Sequence, residues 1–172
     1  GNFRSGGEDV LAFTAASGSN ITGSFNNSTG VLTLSGTTTK ALYEQTLESV
    51  TYQNTSDNPS TSARTISWQV NDGSGANNLS SAVTSTVTVA AVNDAPGVSG
   101  AGATLAYTEN ASATVIDASL TLSDVDSNNL TGATVTISGN FRSGGEDVLA
   151  FTAASGSGIT GSFNNSTGVL TL

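Results

Sequence analysis

The chain has no cysteine, no methionine and no histidine, and only two prolines in 172 residues. Without cysteine no disulfide can staple the fold, which leaves hydrophobic packing and metal ions to hold it. Without histidine or cysteine there is no classical catalytic triad, zinc centre or thiol nucleophile. Positive charge is nearly as scarce. Four Lys and Arg face thirteen Asp and Glu, for a net charge of −9. With no basic patch to displace phosphate counterions, no nucleic-acid partner is expected. An anionic membrane surface repels such a chain. No apolar run reaches the roughly 18 residues that a membrane span needs, so no direct membrane insertion is expected. Aromatics are few, and the single tryptophan, Trp68, falls on an inward strand position. Paired acids for glycoside hydrolysis would need a cleft and an aromatic platform. The chain is therefore expected not to be an enzyme.

What is present suffices for a core. Hydrophobic residues make up 36% of the chain and charged ones 10%, the reverse of a disordered composition. The surface must then be mostly Ser, Thr, Asn and Gly. The strongest signal is a repeat. GNFRSGGEDVLAFTAASGSNITGSFNNSTGVLTL occupies residues 1–34 and recurs at 139–172, with Gly158 standing for Asn20. The offset of 138 residues suits one β-domain per period and is too long for a helical solenoid. Both ends of the sequence are expected to fall inside a module. The linker signal is VAAVNDAPGVSGAG (89–102), placing a boundary near Asp94–Pro96. Residues 1–94 then form the later portion of one module and residues 95–172 the early portion of the next.

Short runs with period-two alternation, punctuated by Gly, Asn and Asp, indicate an all-β fold built as an antiparallel sandwich. In ARTISWQVND, Ile66, Trp68 and Val70 share one face; in AVTSTVTVAAV, Val83, Val87 and Val89 do. ATLAYTEN, ATVIDASLTL, LTGATVTI, EDVLAFT, ITGSF, GVLTLSG and ESVTYQN read as further strands. FNNSTGVLTL reads as a hairpin, with Asn26–Gly30 in its turn. Only Leu42, Tyr43 and Leu47 keep helical spacing, which predicts a short helix over 39–47. Glu8 and Asp9, with Glu146 and Asp147, read as solvated strand edges. Glu44 and Glu48 read as the wet side of the helix.

VNDAP (92–96), YTEN (107–110), SDVDS (123–127), SVTYQNTSDNPS (49–60) and WQVNDGSG (68–75) together resemble the cadherin-like tandem modules of giant bacterial surface proteins. Adhesins exported by type I secretion are among these. The resemblance implies seven-stranded immunoglobulin-like sandwiches strung into a rod, with calcium at the junctions. Asp124 and Asp126 look like the Asp-x-Asp pair of such modules, and Asn93 and Asp94 like the linker ligands. Asp57 takes the E–F loop position. These five would surround the junction within this chain. Asp72, at the F–G position, and Glu109, in the first strand, would serve the outer junctions.

Calcium takes six to eight oxygens from carboxylates, carbonyls and water. An ion held by a linker carboxylate and two acidic loops would cross-link two modules and neutralise their repulsion. The same acids and amides also make ordinary turns. The expected role is structural: a calcium-stiffened extracellular spacer projecting a binding domain from the cell, with neighbouring identical repeats as partners. Two alternatives are a filament subunit completed by strands of neighbouring chains, and an adhesion module with a glycan or cell-surface partner.

Overall fold

The computed structural model describes residues 2–172. It is an all-β fold of small antiparallel sheets with one helix. The chain divides into two compact units, Gly1–Asp126 and Ser127–Leu172. The boundary read at Asp94–Pro96 falls inside the first unit.

In the first unit, β1 (Asp9–Ala12) pairs with β4 (Thr51–Asn54), bringing Asp9 opposite Asn54. β2 (Thr22–Asn26) and β3 (Val31–Ser35) form the expected hairpin. Its turn closes through the Gly30 amide on the Asn26 carbonyl at 2.8 Å, with Gly30 at φ +73°. β5 (Arg64–Trp68) pairs with β6 (Val83–Val87). Along β5 the more buried residues are Arg64, Ile66 and Trp68, as period two demands. β7 (Gly97–Ser99) pairs with β8 (Thr121–Ser123). Between β7 and β8, ATLAYTEN and most of ATVIDASLTL form no strand. Alternation is present there, but Asp117 turns the chain. Its carboxylate accepts the amides of Gly102, Ala103 and Ser119 at 3.1, 3.0 and 2.8 Å.

α1 spans Lys40–Glu48, one residue from its expected place. Thr39 caps it, its hydroxyl accepting the Leu42 amide. Thr46 faces inward and is fully buried. Its hydroxyl donates to the Leu42 carbonyl at 2.8 Å and accepts the Ala16 amide at 3.0 Å. Ser49 accepts the Thr14 amide at 2.9 Å. The hydroxyls of Thr46 in the helix and of its C-cap Ser49 therefore hold the segment that follows β1, satisfying backbone amides that no strand partner takes.

The second unit is a three-stranded sheet in the order β10 (Ser162–Asn164), β11 (Val169–Thr171), β9 (Thr134–Thr136). The central position of β11 buries Leu170 to 4% exposure. Leu32, at the equivalent place in β3, is only half-buried, because β3 has a neighbour on one side only.

Candidate functional site

Three loops of the first unit meet around Asp126. The loop SDVDS begins as an Asx turn, with the Asp126 amide donating to Asp124 Oδ1 at 3.1 Å. The linker reaches it through Asp94, whose amide donates to Asp126 Oδ2 at 3.0 Å. The TSDNPS loop reaches it through Asn58, whose Nδ2 donates to the Asp126 carbonyl at 2.9 Å. Asn93 supports the linker by donating to the Asp94 carbonyl at 2.7 Å. The sequence separations are 32 and 68 residues, so this convergence is tertiary.

Of the expected junction residues, Asp94, Asp124 and Asp126 are thus linked directly, and Asn93 through its neighbour. Asp57 is exposed, and the contact from its loop is made by Asn58. Asp126 Oδ1 is buried with no hydrogen-bond partner. A buried unpaired carboxylate oxygen is costly, and a cation is one way to satisfy it. Among the described residues, no three acidic side chains approach closely enough to hold a metal by themselves. The donor set fits calcium only with amide and carbonyl oxygens beside the carboxylates, a mixture that calcium accepts.

The outer-junction residues lie elsewhere. Asp72 caps its own turn, accepting the Ser74 amide at 2.9 Å, and that hydrogen bond lowers its pKa. Glu109 sits in an exposed turn beside Asn110, which takes φ +64°.

A second polar cluster, which the sequence alone does not announce, gathers around Asp9 and Arg64. Glu8 and Asp9, expected as a solvated strand edge, are a correction: Asp9 is 3% exposed. Its carboxylate accepts Arg64 Nε at 3.0 Å, the Tyr52 hydroxyl at 2.6 Å, Asn54 Nδ2 at 2.9 Å and the Arg4 amide at 2.8 Å. Arg64, 2% exposed, also reaches Glu8 at 3.2 Å and the carbonyls of Ser60 and Ser62. Burial raises the pKa of Asp9, but the Arg64, Tyr52, Arg4 and Asn54 hydrogen bonds overcome it and hold the acid at about 2. Burial and the Asp9 contact push Tyr52 up. No buried side-chain atom of the cluster lacks a hydrogen-bond partner, so it ties β1, β4 and β5 together. The available signal was the scarcity of cations: one of only four begins a strand.

No family model, curated protein or solved structure matches the chain. No helix among the described residues is long and apolar enough to cross a membrane.

Proposed function

We propose that this chain is a segment of the repetitive stalk of a long extracellular surface adhesin, non-enzymatic and stiffened by calcium. The stalk holds a distal binding domain away from the cell, and its partners are neighbouring identical repeats. The observation that carries the reading is the meeting of three sequence-distant loops on Asp126, with one carboxylate oxygen left buried and unpaired. The cadherin-like motifs and the long period support the same reading. Asp94, Asp124 and Asp126, with oxygens of Asn93 and Asp57, would hold the ion. Bound there, it would supply the charge that Asp126 Oδ1 lacks and fix the linker against the acidic loops.

The test is differential scanning calorimetry with and without calcium. One micromolar-affinity ion at about a hundredfold excess adds about 2.7 kcal/mol to stability. Asp126→Asn is expected to abolish the calcium-dependent rise in Tm while keeping the calcium-free Tm within a few degrees. A Tm indifferent to both calcium and chelator sinks the calcium reading.

A further inference from the structure

The loop over residues 55–62 joins the Asp9–Arg64 cluster to SDVDS. Where the loop begins, Asn54 serves both. Its Nδ2 donates to Asp9 Oδ1 at 2.9 Å, and its Oδ1 accepts the Ser56 amide at 3.0 Å. The Ser56 hydroxyl accepts the Asn58 amide at 3.2 Å. Where the loop ends, Arg64 Nη1 donates to the carbonyls of Ser60 and Ser62, and Arg4 Nη2 donates to the Ser60 hydroxyl at 3.1 Å. Pro59 disfavours the helical region for Asn58, which stiffens the tip. The loop is thus staked at both ends to a buried ion pair. From its exposed tip Asn58 Nδ2 reaches the Asp126 carbonyl at 2.9 Å, across 68 residues of sequence.

We propose that Asn58 is the positioning residue of this meeting point, a latch that docks SDVDS on the loop over residues 55–62 and needs no ion to do so. The chemistry of the contacts carries the inference. Asn58 offers an amide N–H to Asp126, and Asp94 offers a backbone N–H to the same residue. Cations are bound by oxygens, so neither link is an ion bridge. One exposed hydrogen bond is weak when it must also order the loop that makes it. Here the Asp9–Arg64 cluster has already ordered that loop, so most of the bond's free energy goes into holding SDVDS. The choice of Asn58 over Asp57 as the touching residue follows. A carboxylate has no proton to give, and at position 58 it would face the Asp126 carbonyl as a second acceptor. The latch does not rest on the calcium reading. An ion arriving at Asp126 would meet loops already in place and would have less of the chain to order.

Hydrogen exchange by NMR on the full chain in excess chelator tests the latch. The readout is the Asp94 amide, which is protected while the linker sits on Asp126. Asn58→Ala and Asn58→Asp should each speed its exchange about threefold or more and leave the global Tm unchanged, which a general loss of stability would not do. Thr61→Ala, at an exposed position of the same loop, should change neither. Ser56→Ala should speed the Asp94 amide by less than Asn58→Ala does. Combined with Asn58→Ala it should add little, because both break one chain of contacts. An Asp94 amide unprotected in the wild type overturns the proposal. So do Asn58 variants that exchange as the wild type does, or Ser56→Ala and Asn58→Ala effects that simply add. Protection that Asn58 controls in chelator, beside a Tm indifferent to calcium, would keep the latch and sink only the calcium reading.

Discussion

Residues 2–34 and 140–172 carry the same sequence apart from Asn20 and Gly158, and they hold different amounts of structure. What they share is local. Gly6, Gly7, Gly18 and Gly30 sit at φ +82°, +94°, +77° and +73°; Gly144, Gly145, Gly156 and Gly168 sit at +84°, +94°, +78° and +71°. The hairpin turn, the RSGGED loop and the phenylalanine pair are reproduced within tenths of an ångström. What differs is long-range. EDVLAFT contains a strand where TYQN lies beside it, and contains none where TYQN is lacking. Each copy is also more complete where the other is less so. The first has its β4 partner and a two-stranded hairpin sheet; the second has a third strand on its hairpin and no β4.

The pair separates turn energetics from sheet energetics. Turns and glycine conformations need only their own residues. A strand needs a neighbour, because its backbone amides and carbonyls are otherwise left to water. This is also why part of the fold was legible and part was not. The hairpin, α1, β5 and β6 were readable because their signals are local in sequence. The absence of strands over 103–119 was not, since their alternation is genuine and what they lack is a partner. Asp9 was misread for the same reason. Its exposure is decided by Arg64, 55 residues away, and by Tyr52, 43 residues away. At the candidate site, the meeting of the linker with SDVDS was expected from the motifs. The substitution of Asn58 for Asp57 as the touching residue was not, because neighbours in a loop differ only in which way they point.

The comparison breaks most sharply at the Arg64 cluster. Arg64→Ala leaves Asp9 and Glu8 without a cation in the covered copy, at a cost of about 3 kcal/mol. Asp147→Ala removes only the Arg142 amide contact in the open copy, at a cost of about 1 kcal/mol. Urea unfolding at low concentration reads both. Equal losses would mean that the two copies are not differently covered.

Acid should act on the same cluster. The pKa of Asp9 is depressed to about 2 from an ordinary 3.8. Between those values the unfolded chain binds more protons than the folded one. The stabilisation is therefore complete above about pH 4 and is lost as pH falls toward 2, amounting to about 2 kcal/mol. Asp9→Asn should flatten that part of the stability–pH curve. A wild-type curve without slope from pH 4 to 2 would remove the buried pair from the account.

The smallest effect concerns the one position where the copies differ. Asn20 takes φ +53° and Gly158 takes φ +68°. Both are left-handed, a region that glycine enters freely and asparagine tolerates better than other residues with a Cβ. The substitution therefore follows a backbone rule: Asn and Gly interchange here within about 0.5 kcal/mol, since neither forces the turn to change. Alanine has a Cβ and no side-chain amide to compensate, so Asn20→Ala should cost about 1 kcal/mol. At Asn20 the turn is tied to Ser19 and Ile21, which are buried, so the strain is felt in global unfolding. At Gly158 the neighbouring Ile159 is open to solvent, and the loop can relax without disturbing β9, β10 or β11. Gly158→Ala should then register as about half the loss or less in thermal unfolding. Equal losses at the two positions would show that the loop is held by its own residues alone.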